Sequence, residues 1–472
     1  MAAGKPWSRG RPSLPSIHLA IEEEKESPVA AKMRISRGVM VVSSGFLLLS
    51  TAYRSLQNLQ SSIINEADLG AASMALMYIA SVISCIFVSS YMIGRLGLKH
   101  TMVVAMSMYF VYFLANMKPT WLTLLPGSFV LGLGCGPLWT AKSSYLTTLA
   151  QECADVEERG DPAPFISRVF GIFFAMYQTA QVCSALLSYW LFAPPDTTSE
   201  DPPQFIERCG ASFHPTDDAI GNETAMRSIP ESQVLTLSAL YTGLVLAAIA
   251  VLFIFLDKMP DEVRDSSPPM KLLVETVHQT RQGFQQLMIP LTVYGGMQQV
   301  FFWVEFTQAF VSCSWGPGRV GRVMVCHGMA GIISSLTFGF LSARVPRILL
   351  VMTAALLDFA VMVRLLTWKP TPQDARSFYL IAICWAVADA SWKTQINTFY
   401  GILFWDRRNA AFANYQLWES IGLIVMFAVQ STVRVYLKIA GLMMCLAAGV
   451  IGYIVIEMMN RSRNLPSLKN PT

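Results

Sequence analysis

Residues 385–404 read WAVADASWKTQINTFYGILF, nearly apolar enough to cross a bilayer, yet they carry Asp389 and Lys393 one helical turn apart. On a helix, positions i and i+4 share a face, and acid before base is the favourable order, so the two side chains neutralise each other or hold a ligand between them. Arg54, Lys142, Glu305 and Glu419 lie in comparably apolar surroundings. A charge at the middle of a bilayer costs about 2.5–3.5 kcal/mol, so each needs a partner, a wet cavity or a task. Arg54 and Glu305 stand at matching depths in their runs and are expected to pair as a gate. Lys142, in GLGCGPLWTAKSSYLT, has no partner on its own helix, and Glu419 or an anionic ligand is the expected counter-charge. Asp358, near the centre of another run, is expected either to contact a partner protein or to hydrogen-bond a neighbouring helix.

Other polar residues have blander readings. His327 reads as a hydrogen-bonded core histidine and Arg364 as a side chain snorkelling to the membrane edge. Gly132, Gly134 and Gly136 read as close helix packing, because no GK[ST] follows to make a phosphate loop. Trp139, Trp385, Trp392, Tyr400 and Trp418 read as packing and interface aromatics. No nucleophile–base set, CxxC or His/Cys cluster occurs, so neither an enzyme nor a metal or cofactor is expected.

The elements that must position these residues are membrane helices. The chain has 472 residues, 53% hydrophobic and 14% charged, where a soluble protein carries about a quarter charged residues. Twelve apolar runs are long enough for a core of about 30 Å, over 38–60, 71–93, 101–117, 121–149, 165–193, 232–256, 287–312, 320–342, 347–367, 377–403, 411–434 and 437–457. With both termini inside, cytoplasmic segments hold 22 of the 35 Lys and Arg and outer segments 9, so the positive-inside rule favours cytoplasmic termini.

The expected organisation is a disordered cytoplasmic tail (1–36), a six-helix bundle (37–256), a cytoplasmic linker (257–286), a second six-helix bundle (287–459) and a short tail (460–472). The polar stretch 194–231 would lie outside, in the extracellular or lumenal compartment. There Asn222 heads an N-glycosylation sequon, and Cys209 shares the oxidising compartment with Cys313. The two cysteines form either a disulfide or two unpaired thiols. The halves resemble each other: GFLLLSTAYRSLQNLQSS parallels VYGGMQQVFFWVEFTQAF, and basic turns GRLGLKH and FLSARVPR follow the second and eighth runs.

These features resemble the major facilitator superfamily, an all-α polytopic fold of two pseudo-symmetric six-helix bundles. GRLGLKH lacks the acid of that superfamily's cytoplasmic latch. Through GFLLLSTAYRSLQNLQSS, LGLGCGPLWTAKSSYLT, WAVADASWKTQINTFYGILF and AAFANYQLWESIG, the chain is similar to the A-type branch of the uncoordinated ninety-three family. That resemblance implies an accessory regulator of an ion channel, with a two-pore-domain potassium channel as the model partner. The residues themselves leave a second reading open: a secondary transporter of a small, anionic solute through a charged central cavity. Expected partners are the lipid bilayer, a potassium channel or other membrane protein, and a small solute, with no nucleic acid. The expected location is the plasma membrane, with an endomembrane as the alternative.

Overall fold

The computed structural model describes residues 27–63, 67–158, 161–192, 208–214, 231–259 and 268–464. Among these residues the regular structure is helical and no strand occurs. In lipid a spanning backbone must satisfy its N–H and C=O groups within its own segment, and a run of this hydropathy does so by coiling.

Among the described residues ten helices are long and apolar enough to cross a membrane, where the sequence suggested twelve runs. Two differences account for the count. The segment Ala72–Ala115 is continuous over 44 residues, roughly 66 Å at 1.5 Å per residue and about twice a bilayer core. It is broken at Gly97, whose φ of 80° and ψ of 168° leave the helical region, a conformation open to a residue without Cβ. The helix Ala375–Leu403 has 29 residues, but Asp389, Lys393, Gln395 and Asn397 leave it more polar than the other spans, and it is not among the ten.

The main helices are α1 (Pro28–Ile63), α2 (Ala67–Ile83), α3 (Ser89–Ala115), α4 (Trp121–Val156), α5 (Ala163–Phe192) and α6 (Glu231–Phe255), then α7 (Pro269–Thr280) and α8 (Gly283–Val300). A π-wound segment, Phe301–Ser312, carries α8 into the single turn α9 (Cys313–Trp315). α10 (Val320–Leu341), α11 (Arg347–Thr367), α12 (Ala375–Leu403), α13 (Arg408–Val429) and α14 (Val435–Asn464) follow.

Packing repeats between the halves. α1 packs on α5 and α6 as α8 packs on α13 and α14; α2 and α3 pack on α4 as α10 and α11 pack on α12; α3 meets α6 as α11 meets α14. The halves touch chiefly through α5 against α10 and α12, and through α4 against α13. At the α5–α10 crossing the backbones are in contact: a Cβ at Gly171 would lie 2.7 Å from the Cα of Gly339.

The expected tail and linker differ from the structure. α1 starts at Pro28, not near residue 37, because its first turns lean on α4 through Lys32–Glu157 and Arg34–Glu152, both 3.1 Å. The final helix continues to Asn464, past the expected end at 459. Part of the polar linker is the helix α7, which buries Leu272, Thr276 and Gln279. Its Thr276 hydroxyl is 3.3 Å from that of Ser90, and Asn414 Nδ2 donates to the Thr276 carbonyl at 3.1 Å.

At the opposite end Cys209 and Cys313 are joined by a disulfide with Cα atoms 5.7 Å apart. The Val435 amide donates to Phe213 O at 3.3 Å, seating residues 208–214 on the second half. Nearby, the Thr371 hydroxyl donates to Asp374 at 2.9 Å and Trp368 Nε1 donates at 3.2 Å. These donors, Thr371 first, hold the Asp374 carboxyl below the ordinary carboxylate range.

Candidate functional site

Between the halves lies a cavity of about 500 Å³. One wall comes from α1 to α5, with Cys85 between α2 and α3, the other from α8, the π-wound segment, α12 and α13. It extends from Lys142, Lys393 and Asn397, midway along their helices, to Gln57 and Gln430 toward the disulfide end. Toward the α7 end the halves are in contact through Ser143–Asn397 (3.5 Å), Gln395–Ser167 (3.4 Å), the Phe170–Phe412 ring pair and the Gly171–Gly339 crossing. The cavity is therefore deepest at its charged floor.

Asp389 and Lys393 pair at 2.7 Å, with 4% and 9% of their surfaces exposed. Gln298 Nε2 donates to Asp389 Oδ1 at 3.2 Å and Gln178 Nε2 to Oδ2 at 3.4 Å. The carboxylate thus accepts from both halves, since Gln178 lies on α5 and Gln298 on α8. Lys393 lines the cavity, and its charge is already answered by Asp389.

Lys142 is 1% exposed and makes neither an ion pair nor a hydrogen bond among the described residues. The rings of Phe173, Trp139, Phe174 and Phe170 surround its ammonium, with centroids 4.6, 4.9, 5.3 and 5.6 Å away. Each desolvated cation–π contact is worth up to about 2 kcal/mol, against an effective burial penalty of several kcal/mol per ion. Glu419, in the facing wall, accepts from Gln299 Nε2 at 2.8 Å and from Tyr415 Oη at 3.5 Å, with no cation paired to it among the described residues. Lys142 and Glu419 share the cavity, as the sequence suggested, but do not form an ion pair with each other.

The expected Arg54–Glu305 pair does not form. Arg54 donates to Gln181, and its guanidinium lies 4.8 Å from the Tyr177 ring and 4.7 Å from the Trp303 ring. Glu305 instead accepts from Lys438 at 2.5 Å, both side chains 1% exposed, and Lys438 also donates to Gln430 O at 2.8 Å. The π winding over 301–312 is the physical reason, because it turns Glu305 away from the phase an α-helix would give it. Lys438, at the start of the apolar run 437–457, is buried.

Asp358 is not a partner-contact residue. It is fully buried and accepts from Tyr294 Oη at 2.7 Å and Trp392 Nε1 at 2.6 Å, the alternative of a bond to neighbouring helices. His327 packs on the Phe302 ring at 4.1 Å, with Nδ1 3.2 Å from Ala382 O. Arg364 is exposed, its guanidinium 5.7 Å from the Trp368 ring. Trp139 departs from a pure packing role, since it both lines the cavity and faces the Lys142 ammonium. The three glycines near Lys142 do pack closely: a Cβ at Gly132 would meet Met77 O at 2.2 Å, one at Gly134 Ala105 O at 3.0 Å and one at Gly136 Cys85 N at 2.9 Å. Asn222 lies outside the described residues.

Sequence reasoning missed Lys438, Gln178, Gln298, Gln299 and Tyr294. The amides were visible as polar residues in apolar runs, FAMYQTAQ and GGMQQV, and a rule that buried polar groups need partners would have flagged them. Among the described residues no cluster of His, Cys, Asp or Glu is placed to hold a metal ion. The arrangement suits reversible binding of a small polar solute by fixed charges and rings.

The geometry can be set beside known proteins. A family described as ion channel regulatory protein UNC-93 matches residues 61–455. Protein unc-93 homolog A of Xenopus laevis is 36% identical over 433 residues, covering 90% of this chain and 94% of its own length. The Caenorhabditis elegans protein named "Putative potassium channel regulatory protein unc-93" is 31% identical over 446 residues, covering 92% of this chain and 62% of its own. Among solved structures, the E. coli fucose:proton symporter FucP matches with a TM-score of 0.63 at 14% identity, over 88% of this chain and 97% of that one. The human organic anion transporter MFSD10 gives 0.58 at 11% identity, over 89% and 99%. At such identities the likeness speaks for the fold, which is that of the major facilitator superfamily.

Proposed function

This chain belongs to the UNC-93 family of ion channel regulatory proteins, and from that membership we propose that it is an accessory subunit regulating a potassium channel in the membrane. The observation that carries this reading is the extent of the match, residues 61–455, which takes in the helices from α2 to α13, most of α14 and all of the cavity lining except Tyr53 and Gln57. A protein with two halves around a cavity can adopt two arrangements, and a partner that binds them unequally is biased by whichever is populated. In this reading the two helical bundles are the moving bodies, the segment between them lies inside the cell, and both termini are cytoplasmic at the plasma membrane. Asn222 would carry a glycan on the outer face.

The test is the potassium current per surface channel when two-pore-domain channels of the same organism are expressed with and without this protein. A clear change in at least one channel is expected. Unaltered currents across the whole set would overturn the regulatory reading.

The cavity favours a second reading, transport of a small charged solute, because Lys142 is buried in its wall with no acid paired to it among the described residues. Uptake abolished in Lys142→Gln at unchanged surface level is the outcome expected of a transporter.

A further inference from the structure

The charges left over in the cavity say what kind of solute fits. Lys393 is cancelled by Asp389 at 2.7 Å. Arg54 is not part of the wall; it lies between the Tyr177 and Trp303 rings, and those rings face the cavity. Two formal charges of the wall then remain without an ion pair: Lys142 on the first half and Glu419 on the second. A purely anionic solute satisfies Lys142 and meets the Glu419 carboxylate across the cavity. A purely cationic one does the reverse. Only a solute with one charge of each sign satisfies both.

We infer that the cavity binds a zwitterion of the α-amino-acid type, its carboxylate toward Lys142 and its ammonium toward Glu419. The remaining wall is chiefly aromatic and apolar, with Tyr53, Met77, Trp139, Tyr177, Trp303 and Phe427, so the body of the solute is apolar. The volume of about 500 Å³ accommodates a leucine- or phenylalanine-sized molecule with several waters, each taking about 30 Å³. Because Lys142 and Glu419 sit on opposite halves, such a solute bridges them and favours the arrangement in which the two walls stand at this spacing. The rings around Lys142 hold the ammonium at the cavity wall, where it makes no hydrogen bond among the described residues. This inference rests on the cavity being a binding site and is independent of whether a channel or a transport cycle reads the result.

The experiment uses the full-length protein in lipid nanodiscs, with binding read by tryptophan fluorescence and by the shift in thermal unfolding. The probes are L-leucine and L-phenylalanine. Each is compared with its analogue lacking the amino group (4-methylpentanoate, 3-phenylpropanoate) and its analogue lacking the carboxylate (isopentylamine, phenethylamine). At least one amino acid is expected to bind about tenfold or more tightly than both its analogues, the ratio expected when a buried charged group is left unanswered. In Glu419→Gln the penalty for losing the amino group is expected to vanish, and in Lys142→Gln the penalty for losing the carboxylate. Binding of neither amino acid, or binding of the analogues as tight as the parents, would overturn the inference on the unmodified protein whatever the variants do. The channel-current measurement is separate, so failure of one reading is distinguishable from failure of the other.

Discussion

The pair formed by Glu305 and Lys438 has the strongest consequence of any two side chains outside the cavity. Both are 1% exposed, and removing one member of a buried pair costs about 3–5 kcal/mol because the other charge is left behind. Lys438→Met is expected to lower the unfolding temperature of the detergent-solubilised protein by several degrees, and Glu305→Leu combined with Lys438→Met to recover most of the loss. A single variant melting at the parental temperature would remove the pair from the account of stability. The contrast with Asp389 and Lys393 explains what was legible at this scale. Four residues on one helix fix a neighbour by geometry alone, whereas Glu305 and Lys438 are 133 positions apart and meet only through the packing of α14 beside the π-wound segment. Matching depth suggested Arg54 for Glu305, but depth carries no information about which way a side chain points. Likewise the burial of Asp358 was legible, while its donors Tyr294 and Trp392 could not be named without knowing that α8, α11 and α12 converge.

At the scale of elements, the crossing of α5 and α10 brings the halves to backbone contact. A Cβ at Gly339 would lie 3.0 Å from the Cα of Gly171 and 3.2 Å from Ser167 O, while one at Gly321, on the same helix, meets nothing within 4 Å. Gly339→Val is expected to destabilise by about 1–3 kcal/mol through overpacking. Gly321→Ala is expected to be neutral or stabilising by up to about 1 kcal/mol, since alanine is the better helix former. Equal melting shifts in the two variants would mean that the crossing is not tight in the protein as it exists in solution. Helices were the most legible elements, because an apolar run in lipid has few other ways to satisfy its backbone. α7 was hidden for the opposite reason: its twelve residues lie in a polar stretch and are too short and too polar to read as a span, although their apolar positions recur at helical spacing.

For the molecule as a whole, the disulfide joins residue 209 of the first half to residue 313 of the second, 104 positions on. With a protease site inserted between residues 260 and 267, cleavage is expected to leave one band on a non-reducing gel and two after reduction. Cys313→Ser is expected to give two bands under both conditions; two bands from the parent without reductant would exclude the bond. The even spacing of apolar runs and the echo between halves made the fold visible in the sequence. The shape of the cavity and its balance of charge were not visible, because they depend on which faces of the lining segments are turned inward, and sequence spacing sets a face only within one helix.

Finally, the Glu305–Lys438 contact implies an order of events during synthesis. Glu305 leaves the ribosome 133 residues ahead of its cation, an interval on the order of ten seconds at roughly 5–20 residues per second. Until α14 arrives, the nascent chain holds an acid with no counter-ion at a place that later becomes dry. A chain stopped before Val435 therefore lacks the cation that answers Glu305, and is expected to assemble its second half less stably than one that includes α14.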